Sequence, residues 1–128
     1  MAHAQMQHEI DPAQALAESL GDLSGIELFH NQVLVAVYQR PEKTKSGLYL
    51  AAATRDEDKY QSKIGLVVMK GPSAFVSTGE WQFPEIELND WVIFRPSDGW
   101  NTGVNGVLCR ILVDTSVKGR VENPDLVW

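Results

Sequence analysis

With 128 residues, 44% of them hydrophobic and 22% charged, the chain has the size and balance of one globular domain with a modest core. A net charge of -6, with 11 basic residues scattered along the sequence, argues against a nucleic-acid partner, which needs concentrated Lys and Arg. No apolar run reaches the roughly 18 residues that a membrane helix requires, so no membrane partner is expected.

The opening stretch, "MAHAQMQHEIDPAQ", has neither the basic start nor the apolar centre of an export signal. Its histidines, His3 and His8, read as part of a solvated arm and not as metal ligands. "DPAQALAESLGD" then predicts a short helix, with Asp11 as N-cap, Pro12 at the first helical position and Gly21 as the stop. Ala13, Leu16, Ala17 and Leu20 recur at helical spacing and give it one small apolar face. So short a helix needs a surface to dock on, either its own domain or a neighbouring subunit.

From Leu28 the signals are those of strands. "QVLVAVY" (Gln32–Tyr38), "KIGLVVM" (Lys63–Met69), "DWVIF" (Asp90–Phe94) and "GVLCRILV" (Gly106–Val113) are β-branched and nearly continuous in apolar character. Turn markers separate them: Lys70-Gly71-Pro72, Ser77-Thr78-Gly79, Leu88-Asn89-Asp90, Ser97-Asp98-Gly99 and Val104-Asn105-Gly106. Short strands at close spacing predict an all-β sandwich or small barrel. The closing "NPDLVW" reads as a last strand, its Leu126, Val127 and Trp128 held by packing or by a neighbouring copy.

The residues that could carry chemistry do not assemble an active site. His30 has no nucleophile setting near it, since "G-x-S-x-G" is absent. Asp56, Glu57 and Asp58 lack the alternating oxygen ligands of a calcium loop and are balanced by Arg55, Lys59 and Lys63. "RPSDGW" reads as a turn, not a nucleotide loop. Cys109 lies in an apolar run, where a buried inert thiol is expected. The chain is therefore read as a non-enzymatic binding or structural protein that needs no cofactor and no metal.

Two apolar groups stand out against polar surroundings. Phe75, Trp81 and Phe83 sit in a Gly- and Pro-marked excursion between two strands, where they either fill a miniature core or form a contact surface. In "RPEKTKSGLYLAAATRDEDKYQSKIG", Leu48-Tyr49-Leu50 follow Gly47 inside a charged run. Their residue types fit an inner strand and an exposed recognition loop equally well.

The order of these features resembles the GroES co-chaperonin family over about Leu28 to Trp128. "ELFHNQVLVAVYQR" is similar to that family's "PLHDRVLVKR", and "EKTKSGLYLAAA" to its glycine-bearing mobile loop with an apolar tripeptide. "IGLVVMKGP" matches "G-x-V-x-x-x-G", and "NDWVIF" matches "GDxVxF" with Asn89 for the usual glycine. The resemblance implies an irregular GroES-like β-barrel over residues 28–128, preceded by an arm over residues 1–27 that carries the one short helix. It implies a homo-oligomeric ring in which first and last strands of neighbours pair, with the excursion from Gly71 to Leu88 as the roof of a dome. It further implies that Gly47, Leu48, Tyr49 and Leu50 dock on a chaperonin ring to assist protein folding, in the bacterial cytoplasm.

Three features depart from that family: the N-terminal arm, the charged "TRDEDKYQSK", and the long path from "RPSDGW" to the end of the chain. Together they resemble co-chaperonin-like proteins carried by bacteriophages. Two roles follow from that setting. One is a co-chaperonin whose client is a phage capsid protein. The other is a virion component on the capsid surface, a head decoration or cement protein whose partner is the major capsid protein.

Overall fold

The computed structural model describes residues 11–39, 62–80 and 82–127. Their strands are β1 (Gln32–Val37), β2 (Ile64–Lys70), β3 (Trp91–Ile93), β4 (Trp100–Val104), β5 (Val107–Val113) and β6 (Gly119–Val121). All belong to one antiparallel sheet of order β4-β5-β1-β2-β3-β6. The all-β fold class expected from the sequence is the one observed, and the four strands read from apolar runs are β1, β2, β3 and β5.

The near-continuous apolar character of β1 has a plain cause. Successive side chains on a strand point to opposite faces, and here both faces are covered. Leu34, Ala36 and Tyr38 enter one cluster with Ile64, Leu66, Trp91, Cys109 and Leu20. Val33 and Val35 enter a second with Val67, Ala74, Ile86, Val92, Phe94 and Leu112. The register of β1 on β2 slips between Leu34 and Val35, whose partners are Met69 and Val67. This one-residue bulge keeps both strands' apolar residues on their proper faces while bending the sheet. Gly65 is obligatory next to it, because a Cβ there would stand 2.8 Å from Val35 and 3.0 Å from Phe94.

The helix α1 (Pro12–Leu20) forms as its end signals predict. The Asp11 carboxylate accepts from the Gln14 N–H at 3.2 Å, Pro12 opens the helix, and Gly21 at φ 66° donates its N–H to the Ala17 carbonyl. Its docking surface is its own sheet. Leu20 is 1% exposed within the first cluster, with Ala13 and Leu16 packed against that cluster. The β4–β5 hairpin completes the seat. Asn105 and Gly106 both take positive φ, as a two-residue type I′ turn needs, and the Asn105 amide donates to the Leu20 carbonyl.

Two elements differ from the sequence reading. "WNTGV" forms the edge strand β4 although its composition carries little strand signal; its ladder with β5, from Trp100 opposite Ile111 to Val104 opposite Val107, supplies what propensity does not. In "NPDLVW" the described residues 123–127 do not form a strand. Asn123 caps a 3-10 turn over Pro124–Leu126, with Pro124 at its first position, and the last strand of the sheet is β6.

A buried carboxylate joins three stretches of chain that are remote in sequence. Asp114, 4% exposed, accepts from the Asn31 amide at 3.1 Å and from the Phe75 N–H at 3.0 Å. It thereby ties the entry to β1 and the exit from β5 to the excursion that follows β2. Gly71 packs against the same entry segment: its N–H donates to the Gln32 carbonyl at 2.7 Å, and a Cβ on it would lie 2.3 Å from the His30 carbonyl oxygen.

Three outcomes follow. Leu20→Ala should cost about 3 kcal/mol and strip helical signal from the far-UV spectrum before the sheet melts, as a denaturant titration followed at two wavelengths would read. Asp114→Ala leaves the Phe75 N–H without its acceptor and should cost about 2 kcal/mol in the same titration. Burial pushes the Cys109 thiol from 9.0 up to about 11, so the folded chain keeps a proton that the unfolded chain releases above pH 9. That contribution is therefore intact below pH 9 and is lost as pH rises toward 11. Stability should fall there by about 1.4 kcal/mol per pH unit, a slope that Cys109→Ser removes.

Candidate partner-binding surface

Neighbouring antiparallel strands need only a tight turn between them. The ends of β1 and β2 meet that condition, with Val37 opposite Gly65 and the Tyr38 N–H donating to the Ile64 carbonyl at 3.0 Å. Yet residues 40–61 lie between them, far more chain than the connection requires. Segments longer than about 12–15 residues between paired elements are commonly functional. Gly47, Leu48, Tyr49 and Leu50 fall in this stretch and lie outside the described residues.

What is described is the root of the segment. Tyr38 is 1% exposed and meets Trp91 edge-on, ring centroids 5.5 Å apart. Its hydroxyl donates to the Asp125 carboxylate. On the returning side Ser62 is buried; its hydroxyl donates to the Ile64 carbonyl at 3.2 Å and stands 3.4 Å from the Ile64 N–H. Tyr38 thus belongs to the first cluster, and Ser62 bonds to the backbone of Ile64, which belongs to it as well. Sequence reasoning took Tyr38 only as the end of a strand and missed Asp125, because nothing local marks a contact between residues so far apart in the chain.

The second apolar group is the excursion between β2 and β3. Phe75 and Phe83 meet edge-to-face with centroids 5.9 Å apart, and Phe75 packs against the second cluster. The Ser77 hydroxyl accepts from the Phe83 N–H at 3.0 Å, which brings the two arms of the excursion together. Phe75 holds φ 60°, a conformation unusual for an aromatic residue, and its N–H is the one that Asp114 accepts. Ile86, on the excursion's return arm, is buried, while Val76 and Leu88 are exposed. Its return arm is fastened by the Lys70 ammonium on the Ile86 carbonyl at 2.8 Å and by the Arg120 guanidinium on the Glu85 carbonyl at 2.6 Å. Trp81 lies outside the described residues.

The residues considered for chemistry are occupied otherwise. His30 takes φ 57° and serves through its carbonyl, which accepts from the Ser73 N–H. Cys109 is wholly buried in the first cluster and keeps its proton at neutral pH. "RPSDGW" is a turn. Arg95 binds the Asp98 carboxylate through two nitrogens at 2.9 and 3.0 Å, and these hydrogen bonds hold the Asp98 carboxyl below the usual range. Arg110 lies under that turn, 5% exposed, with its guanidinium 5.5 Å from the Phe94 ring centre and donating to the Asp98 carbonyl. Among the described residues no three His, Cys, Asp or Glu side chains converge as metal ligands would, and no helix is long and apolar enough to cross a membrane.

Comparison with known proteins accounts for this arrangement. The family model described as the chaperonin 10 Kd subunit matches residues 25–120. The co-chaperonin GroES of Rhodobacter capsulatus is 31% identical over 90 residues, which are 70% of this chain and 90% of that protein. The co-chaperonin GroES of Geobacillus sp. (strain WCH70) is 30% identical over 87 residues, 68% of this chain and 88% of its own length. Co-chaperonin GroES 5 of Rhizobium meliloti (strain 1021) is 27% identical over 93 residues, 73% of this chain and 86% of its own. A sheet with two covered faces, a long segment between its first two strands and an aromatic excursion before its third therefore belong to a divergent member of the chaperonin 10 Kd subunit family, that of the GroES co-chaperonins.

Proposed function

We propose that this protein is a co-chaperonin subunit: a non-enzymatic homo-oligomer that caps a chaperonin ring in the bacterial cytoplasm and assists the folding of the enclosed client. The observation that carries this reading is the family match over residues 25–120, joined to relatives whose names are those of co-chaperonins. These relatives are bacterial, and they favour a lid for a chaperonin over a capsid decoration protein of a virion.

The contact with the ring is assigned to Gly47, Leu48, Tyr49 and Leu50. The support for this is the excess of chain between the paired ends of β1 and β2, and the apolar tripeptide set among charges. Docking such a segment costs conformational entropy, so each site binds weakly. Several copies on one oligomer recover affinity through effective concentration, while each contact stays weak enough to release. The excursion, with Phe75, Trp81 and Phe83, is assigned to the roof side of the subunit; the contact between Phe75 and Phe83 joins its two arms.

The test is capture of a purified bacterial chaperonin with and without ATP. Nucleotide-dependent capture is expected. Replacing Leu48, Tyr49 and Leu50 together by Ser should abolish it while the melting temperature stays within about 2 °C, the range of a surface change in a domain of this size. A melting temperature lower by about 10 °C or more would instead mark the tripeptide as core. No capture by the unaltered protein would overturn the co-chaperonin reading.

A further inference from the structure

Among the described residues the sheet has two open edges, and they are built differently. At one, β6 is three residues long. Arg120 at its centre donates to the Asp90 carboxylate at 3.3 Å and to the Glu85 carbonyl at 2.6 Å, and Lys118 stands just before it. A short strand with a charged centre resists pairing with a further strand. At the other edge β4 is five residues long, and its register on β5 is unbroken. It carries no proline and no bulge, and no charged residue occurs from Gly99 to Cys109. Trp100 stands on it 59% exposed. An edge left without charge, proline or bulge is a ready template for another strand.

The ladder shows which backbone groups are available. Val104 and Val107 flank the two-residue turn and so exchange hydrogen bonds; by alternation Thr102 does so with Cys109, and Trp100 with Ile111. The Asp114 N–H on the Asn31 carbonyl, between β5 and the entry to β1, keeps the same alternation. The N–H and C=O groups of Asn101 and Gly103 therefore point away from β5, along the open edge. Trp100, Thr102 and Val104 share the face of Ile111 and Val107, and Val104, Val107 and Ile111 pack against the first cluster.

We infer that this edge is a twofold contact between two copies of the chain, β4 running antiparallel to the partner subunit's β4 with Thr102 on the axis. In that register Asn101 and Gly103 exchange all four outward bonds with the same two residues of the other copy. Centring the pair on Asn101 would set Gly103 opposite Gly99, and centring it on Gly103 would set Asn101 opposite Asn105. Both of those turn residues hold positive φ and cannot continue a ladder. With Thr102 on the axis, each Trp100 ring lies across from the other copy's Val104, an aromatic beside a β-branched side chain, and loses its exposure. The occupant is a second copy because the strand complements itself. Moreover, a chain of net charge -6 approaches its own copy most easily over a neutral surface. Such a contact joins subunits in twos, unlike the head-to-tail contact that closes a ring. The inference goes beyond the co-chaperonin reading and does not rest on it.

The test uses the full-length protein carrying Cys109→Ser, so that no native thiol competes. With Thr102→Cys added, mild oxidation should join chains in twos. Residues facing each other at a non-hydrogen-bonded antiparallel position stand about 4.5 Å apart, within reach of a disulfide. Trp100→Cys and Val104→Cys should each fail alone and cross-link when the two are mixed. Gly103→Cys, which faces Asn101, should not cross-link. In chains that keep Cys109, Thr102→Lys or Thr102→Glu sets like charges together on the axis. Each should raise the concentration at which copies pair by about tenfold or more, read by sedimentation velocity, and an equal mixture of the two should restore pairing. Restoration by the mixture excludes misfolding as the cause. Cross-linking at Gly103 as readily as at Thr102 would overturn the inference, as would charge variants that pair as before. So would copies that assemble only head to tail, or a strand of another protein on β4, since neither cross-links at Thr102.

Discussion

The two-sided burial of β1 is the constraint on which the rest of the structure depends. Val33 and Val35 serve one cluster; Leu34, Ala36 and Tyr38 serve the other. A strand covered on both faces must be central, and here it lies between β5 and β2. Each face then needs its own cover. The second cluster is closed by the sheet's own excursion, through Ala74, Ile86 and the partly buried Phe75. The first is closed by segments drawn from both ends of the chain, through Leu20, Val121 and Val127. The excursion, the helix and the terminal turn are therefore parts of one solution to the same packing problem.

This arrangement explains which features could be read before the structure was known. The central strands were legible because double burial demands an almost unbroken apolar run, a pattern that survives in the sequence of β1, β2, β3 and β5. The helix was legible because its ends are marked by local chemistry at Asp11, Pro12 and Gly21. The Asn105-Gly106 turn was legible for the same reason. Edge strand β4 was not, since its "WNTGV" owes its conformation to the ladder with β5 and not to its own residues. "NPDLVW" misled in the opposite sense: its apolar end looked like a strand, but Asn123 and Pro124 direct a 3-10 turn, and Val127 finds its place on the first cluster without joining a ladder.

The candidate site divides along the same line. Its apolar groups, Leu48–Leu50 and the aromatic set of Phe75, Trp81 and Phe83, were conspicuous because each interrupts a polar stretch. The groups that fasten Phe75 and Tyr38 were not. Asp114 acts on Phe75, and Asp125 acts on Tyr38, each across a long interval of sequence. A lone aspartate carries no signal of the partner to which folding will bring it. Only the tertiary structure converts either one from an ordinary turn residue into an anchor.

Both anchors are carboxylates that act where a long stretch of chain leaves the sheet, and the physical reason is shared. A long stretch of chain that leaves the sheet needs its geometry fixed where it leaves, even where part of it returns to the core, as Ala74 and Ile86 of the excursion do. Apolar packing is poorly suited to that task at a root, where backbone groups have left the ladder and need hydrogen-bond partners. A buried carboxylate meets the need directly: Asp114 satisfies a backbone N–H at a left-handed aromatic residue while holding Asn31 with its other oxygen. Asp125 does the same kind of work for a phenol whose ring is already packed. Two carboxylates, each brought to its partner across a long interval of sequence, thus fix the points at which the chain departs from one small sheet.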